Sequence, residues 1–249
     1  MKVTICGAMG KMGRAIMEAS EVDKDIEIFG ALDNKSKNNN CISSIKYLEK
    51  FLVKTNVLID FTNPESSVAN VEMTKKYSVP TVIGTTGFTS EQKQYIINAS
   101  KDIPIVISPN MSSGINVLLK IVEYVAKKLP DYDKEIVELH HNKKKDSPSG
   151  TAIKLAEMIS KDQDLNNIAI YGRHSTNLER RKNEIGIFSV RAGDIIGDHT
   201  VYFVGTGERL ELTHRAQSRQ AFAMGAIKAA KWIINKNPGL YSMIDVLNI

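Results

Sequence analysis

The sequence predicts an α/β protein: a doubly wound parallel sheet joined to an α+β unit with a mixed, mainly antiparallel sheet. Three observations predict it. Strand-like and helix-like stretches alternate over residues 1–110, the pattern of parallel strands linked by crossover helices. A glycine-rich turn, Gly7-Ala8-Met9-Gly10-Lys11-Met12-Gly13, follows the first strand directly and opens the first helix. From Asp133 onward the chain changes to β-prone runs separated by Gly-containing turns, as expected of antiparallel strands with one face toward water.

In order, residues 3–6 are the first strand, and a helix runs from the glycine turn to about Glu21. Residues 26–32 form the second strand, which ends at Asp33, and residues 56–61 the third. Asn63 then caps a helix whose first position is Pro64, where a missing N–H costs nothing. Residues 80–83 are a fourth strand leading into Gly84-Thr85-Thr86-Gly87, after which Thr89 and Gln92 make a capping-box pair. Residues 104–107 are a fifth, ending in Ser108-Pro109-Asn110-Met111. Ile115, Leu118, Leu119, Val122, Val125 and Ala126 recur at helical spacing and predict an amphipathic helix over 115–129. Strand-like runs follow at 133–141, 167–172, 184–191, 199–204 and 208–213. One helix interrupts them at about 149–161, with Ser147 as its N-cap and Pro148 at its first position. A last helix, about 219–234, stops at Asn235-Lys236-Asn237-Pro238-Gly239.

The composition is that of an ordinary globular chain: 249 residues, 42% hydrophobic, 24% charged, net charge +5. Two cysteines, Cys6 in an apolar strand and Cys41 in a polar loop, indicate no disulfide framework and point to a reducing, cytoplasmic setting. No secretory signal and no membrane-spanning run is expected. The biased segment Asn38-Asn39-Asn40 predicts a flexible loop. No metal cluster is expected, because His140, His141, His174, His199 and His214 lack ligand spacing with Cys or acidic partners.

Glycines at 7, 10 and 13 make a G-x-x-G-x-x-G variant of the dinucleotide fingerprint. A turn without side chains lets backbone approach a pyrophosphate at a helix N-terminus, as in Rossmann-like sheets. Glycines alone also serve an empty tight turn. Asp33, 20 residues beyond Gly13 at the end of the second strand, favours the nucleotide, since that is where an acid receives a ribose hydroxyl. Gly84, Thr85, Thr86 and Ser108, Pro109, Asn110, Met111 fall at later strand ends on the ligand-holding edge. Asn34 stands where a 2′-phosphate would need Arg, which leans toward NADH, with Lys11, Lys35 or Lys37 as alternative positive charge for NADPH.

The second chemical stretch is Glu138-Leu-His-His-Asn-Lys-Lys-Lys-Asp-Ser-Pro-Ser-Gly-Thr-Ala152. It reads as strand, basic turn and helix start, with the N–H groups of Ser149, Gly150 and Thr151 offered to an anion. A lone His or a Lys triplet is usually a solvated surface feature. Adjacent strand residues face opposite ways, so His140 and His141 share a side only if the strand ends there. The combination of titratable imidazoles, a lysine and an anion-binding helix end suits proton donation to a carboxylate-bearing substrate.

These motifs resemble those of the 4-hydroxy-tetrahydrodipicolinate (dihydrodipicolinate) reductase family. The resemblance spans nearly the whole chain, through residues 7–14, Ile-Asp-Phe-Thr-Asn-Pro (59–64), Gly-Thr-Thr-Gly (84–87), Ser-Pro-Asn-Met-Ser (108–112), residues 138–152 and Leu-Thr-His-Arg-Ala-Gln-Ser-Arg (212–219). It implies reduction of a cyclic unsaturated dicarboxylate to tetrahydrodipicolinate in lysine and diaminopimelate biosynthesis, using NADH and/or NADPH. It implies His140 as the acid/base residue, Lys144 as proton donor, His141 as a substrate contact, and Gly150 with Thr151 holding a substrate carboxylate. Gly7, Ala8, Met9, Gly10, Lys11, Met12, Asp33, Gly84, Thr85, Thr86 and Ser108 to Met111 would line the dinucleotide. It further implies a discontinuous dinucleotide domain (1–111 and 220–249), a substrate and oligomerisation domain (112–219), and a homotetramer. Lys11 stands where the family more often has Arg, and the segment from Asp33 to Asn56 is shorter than usual. Two other classes fit parts of the chain. A different two-domain nicotinamide dehydrogenase has no need of the His-His to Ser-Gly-Thr run. A dinucleotide-sensing regulator would want a DNA-binding motif that is not visible, so neither nucleic acid nor membrane is expected as a partner.

Overall fold

The structure, a computed structural model, describes residues 1–34, 43–160 and 164–249. The expectations for Lys35, Lys37, Asn38 to Asn40 and Cys41 lie outside the described residues. The chain divides into two compact units, Met1–Ser113 with Arg219–Ile249, and Gly114–Ser218.

The first unit is a seven-stranded sheet in the order β12-β6-β5-β4-β1-β2-β3, with every neighbouring pair parallel. Its elements are β1 (Lys2–Cys6), α1 (Lys11–Glu21), β2 (Glu27–Asp33), β3 (Ser43–Ser44), a 3-10 turn and α2 (Leu48–Leu52), β4 (Val57–Asp60), α3 (Pro64–Lys76), β5 (Thr81–Ile83), α4 (Ser90–Ala99) and β6 (Pro104–Ile107). After the second unit come α8 (Gln220–Ile233), β12 (Gly239–Tyr241) and α9 (Met243–Leu247). The central strands β1 and β4 are buried from Val3 to Cys6 and from Val57 to Asp60, because helices cover both faces. Val3, Ile5, Val57 and Ile59 are fully buried on one side with α1 and α8, whereas Leu32, Leu52 and Leu58 pack with α2 on the other. The predicted helix caps hold: Asn63 accepts the Ser66 N–H at 3.0 Å, and Thr89 and Gln92 close their box in both directions. The edge strand β12 and α9 lie past the stop read at Pro238, and β12 extends the sheet beside β6.

The second unit begins with α5 (Ser113–Lys128), then β7 (Asp133–His140), α6 (Gly150–Ser160), α7 (Leu165–Ile168), β8 (Ala169–Ile170), β9 (Ile185–Arg191), β10 (Gly197–Gly205) and β11 (Glu208–Ala216). Its sheet runs β11-β10-β7-β9-β8. The sheet is mixed: β10 is antiparallel to β11 and β7, while β7 and β8 are each parallel to β9. The run read as a strand at 167–172 contributes only Ala169–Ile170, because Leu165–Ile168 closes into a helical turn. One face of the sheet packs Ile136, Ile187, Val201 and Phe203 against α5 and α6. The period-2 alternation of β10, buried at His199, Val201 and Phe203 and open between them, follows from that.

Candidate functional site

In the first unit, the predicted cofactor residues lie at or just past the carboxyl ends of β1, β2, β5 and β6, on one edge of the sheet, with Lys11 and Met12 opening α1. The glycine turn is shaped by close approach. Gly7 has φ +85°, and a Cβ there or on Gly13 would collide with the carbonyl oxygen of Phe61 or of Gly7 respectively. Gly7 and Ala8 donate to the Leu32 carbonyl at 2.9 and 3.1 Å, which ties the turn to β2. The Asp33 carboxylate accepts the Met9 N–H at 3.0 Å. Gly10 caps α1 without a side-chain hydrogen bond, no acid occupies the first turn, and Lys11 is exposed there. A narrow backbone cradle at a positive helix end, with no acid in the first turn of α1, fits a dinucleotide pyrophosphate, while Asp33 takes the Met9 N–H at its rim.

Not every predicted residue presents a side chain. The Thr85 hydroxyl is buried and accepts from the Thr62 N–H (3.1 Å) and the Ser67 hydroxyl (2.8 Å). Thr86 is exposed. Ser108 donates to the Asn110 carbonyl at 2.8 Å, Pro109 is exposed, and Met111 is buried with its carbonyl against Gly225 of α8. Gly84 leaves room for the Phe61 ring. Sequence reasoning passed over Asp60 at the end of β4. Fully buried, it accepts from the Thr62 N–H (2.9 Å), the Thr62 hydroxyl (2.6 Å) and the Asn70 amide (3.1 Å). Burial raises its pKa despite these bonds.

In the second unit, β7 ends at His140, so His141 belongs to the turn and escapes the strand's alternation. The turn is pinned from β9: Ala192 N–H donates to the His140 carbonyl (2.9 Å), and Asn142 N–H to that of Gly193 (3.2 Å). His141 Nδ1 accepts the Lys143 N–H at 3.2 Å. Lys144 sits against Asp146, its ammonium 2.8 Å from both carboxylate oxygens. Burial opposes ionisation of Asp146, but Lys144 holds its pKa low.

The start of α6 corrects the sequence reading. Ser149, not Ser147, is the N-cap: its hydroxyl accepts the Ala152 N–H (3.2 Å) and its carbonyl takes the first helical bond, from Ile153 (3.1 Å). Pro148, joined to Ser147 by a cis peptide bond, lies before the helix. The Ser149 N–H, expected to be open to an anion, donates instead to Glu138 Oε1 at 3.2 Å. Gly150 and Thr151 are the first two helical residues, and a Cβ on Gly150 would meet nothing within 4 Å.

Glu138 is the group that sequence reasoning undervalued. Its side chain is fully buried, two residues before His140 on the same face of β7. Arg191 grips it bidentately, Nη2 to Oε1 at 2.7 Å and Nη1 to Oε2 at 2.9 Å, and His140 Nδ1 lies 2.5 Å from Oε2. Burial opposes its charge, but the bonds from His140 and Arg191 prevail and hold its pKa well below the carboxylate range. Arg191 also donates to the Asp146 carbonyl at 2.8 Å, so one guanidinium joins β7, β9 and the basic turn. His199, on β10, meets the His140 ring edge-on at 5.1 Å between centroids, and its Nε2 lies 3.0 Å from the Ser149 hydroxyl. Burial, then the charge of His140, push its pKa down to about 3. Ligand atoms of Glu138, His140 and His199 all lie within 4.8 Å of one another, a grouping that sequence spacing does not reveal. Both Glu138 oxygens are already committed to Arg191, whose positive charge disfavours a cation there.

The family model described as "Dihydrodipicolinate reductase, N-terminus" matches residues 1–111, and its C-terminal counterpart matches residues 114–247. Similar curated proteins named 4-hydroxy-tetrahydrodipicolinate reductase include one from Aquifex aeolicus, 45% identical over 269 aligned positions (100% of this chain, 99% of the relative). Another, from Methanocaldococcus jannaschii, is 43% identical over 268 (100% and 98%). Among solved structures, a dipicolinate-bound dihydrodipicolinate reductase from Paenisporosarcina sp. TG-14 superposes with TM-score 0.79 at 26% identity, covering 98% of both chains. A probable dehydrogenase from Thermotoga maritima shares the fold alone, with TM-score 0.68 at 8% identity over 99% of this chain and 92% of that one.

Proposed function

The chain belongs to the dihydrodipicolinate reductase family, and on that footing we propose that it reduces 4-hydroxy-tetrahydrodipicolinate to tetrahydrodipicolinate, in lysine and diaminopimelate biosynthesis, with NADH or NADPH. The observation that carries this reading is the joining, within residues 138–152, of a strand-end imidazole, an ammonium and a helix start. In this reading residues 1–111 and 220–249 bind the dinucleotide, and residues 112–219 bind substrate and join four subunits.

Loss of the 4-hydroxyl as water leaves a conjugated imine, to which a reduced nicotinamide dinucleotide would supply hydride. The chain's own residues then have three tasks. Gly7 to Met12 and Asp33 hold the pyrophosphate and ribose, with Gly84 to Thr86 and Ser108 to Met111 completing that edge. Gly150, Thr151 and His141 fix the substrate carboxylates at the start of α6. His140 and Lys144 hold the proton that completes the reduction at the electron-rich carbon left by hydride addition. The Lys144–Asp146 pair does not bar Lys144 from this role. With Asp146 60% exposed, the pair contributes at most about 1 kcal/mol, so a substrate carboxylate can replace it.

The test follows reduced-nicotinamide absorbance with freshly made product of the preceding synthase. Oxidation that depends on this substrate is expected with either cofactor. Dinucleotide binding without turnover would retire the reading. His140→Gln should lower kcat by roughly 100-fold with cofactor affinity kept, and Lys144→Ala should raise KM and lower kcat together. Loss of cofactor binding in His140→Gln would instead make the residue structural.

A further inference from the structure

Resting on the reading of His140 as the acid/base group, we propose that Glu138, clamped by Arg191, is a positioning residue that keeps the ring proton on His140 Nδ1 and leaves Nε2 as the atom that exchanges protons. The geometry leaves little choice. Each Glu138 oxygen takes two donors: Arg191 Nη2 and the Ser149 N–H on Oε1, Arg191 Nη1 and His140 on Oε2. A carboxylate that is ionised can only accept, so the hydrogen in the 2.5 Å contact belongs to His140 Nδ1. Arg191 keeps Glu138 from taking that proton, since a guanidinium bonded to both oxygens favours the anion. At the other end of the ring, Gly197 leaves the space: a Cβ there would come within 2.9 Å of His140 Nε2. His199, kept neutral by burial, adds no second positive charge beside the ring. One hydrogen bond thus selects the tautomer of the other nitrogen.

Glu138→Gln tests this with almost no change of shape. An amide offers one oxygen; both groups at Oε1 can only donate, whereas His140 at Oε2 can turn acceptor, so the oxygen settles at Oε1 and Arg191 Nη1 gives up its bond. The amide nitrogen then faces His140, and only a deprotonated Nδ1 can accept from it, which moves the ring proton to Nε2. Nitrogen-15 spectra of histidine-labelled enzyme should show neutral His140 as the Nδ1–H form in the wild type and as the Nε2–H form in Glu138→Gln. Turnover should fall by about 100-fold, with KM for the dinucleotide unchanged. In the His140→Gln background, Glu138→Gln should cost nothing further, because it acts through the ring. Full turnover with the tautomer switched, or a second loss of the same size in the double variant, would overturn the proposal. If Glu138→Gln does not fold, Glu138→Asp carries the same test: it keeps the charge opposite Arg191 but draws back from Nδ1, so turnover should fall and Nδ1–H should no longer predominate. A fully active His140→Gln enzyme would retire the underlying reading, and the spectra would still decide whether Glu138 orients the ring.

Discussion

Glu138 is buried yet ionised, and the side chains around it share the cost. Arg191 supplies the countercharge, the Ser149 amide and His140 fill the remaining lone pairs, and His199 stays neutral. This arrangement has a pH signature. The His199 pKa falls from 6.5 to about 3 on folding, so the folded state binds fewer protons between those values. Its contribution to stability is whole above pH 6.5 and is lost as pH falls toward 3, amounting to a few kcal/mol at the acid limit. Glu138, also lowered on folding, adds an acid loss that starts below its ordinary value of 4.5. Thermal unfolding midpoints of the wild type should therefore drop between pH 7 and pH 5 more steeply than those of His199→Gln; parallel slopes would refute the assignment. Asp60 has the opposite sign, because its raised pKa makes the folded state hold its proton more tightly, favouring acid.

At the scale of elements, local rules named most boundaries. Asn63 with Pro64, and Thr89 with Gln92, cap their helices as their spacing demands, since each cap involves residues within three positions. The start of α6 was not legible in this way. Ser147 and Ser149 both satisfy a capping pattern, and the choice was made by Glu138, 11 residues earlier, which takes the Ser149 amide. Two glycines separate packing from function. Gly13→Ala should force α1 away from the Gly7 carbonyl and cost about 1–3 kcal/mol in urea unfolding, together with dinucleotide affinity. Gly150→Ala adds a methyl to open space in the first helical turn, so stability should be kept or slightly raised. If Gly150 grips a substrate carboxylate, KM for that substrate rises alone; an unchanged KM would remove Gly150 from the site.

Across the whole chain, two units with separate cores are built from one sequence that leaves the first at Ser113 and returns to it at Arg219. The second unit's sheet packs one face on α5 and α6, while the other carries Val190 and Val204, 40% and 37% exposed, with Phe188 and Tyr202 half-buried beside them. A sheet face that sets these apolar side chains among Thr200, Thr213 and Glu211 is the surface through which the proposed four subunits would join. Light scattering should then report a tetramer, and Val190→Arg should shift it to smaller species. A wild-type monomer at micromolar concentration would discard the assembly.

By itself the sequence determined the alternation of strands and helices, the glycine turn with its acid on the next strand, and the run from Glu138 to Ala152, because each is a matter of period, spacing or local capping. Only the tertiary structure decided which of these residues act together. Arg191 and His199 stand 51 and 59 positions beyond His140, and nothing in their neighbourhoods marks them. Arg191 reaches Glu138, and His199 the His140 ring, because β9 and β10 flank β7. A buried carboxylate becomes tolerable only when a distant guanidinium is laid beside it, and sheet pairing, which no local window contains, is what lays it there.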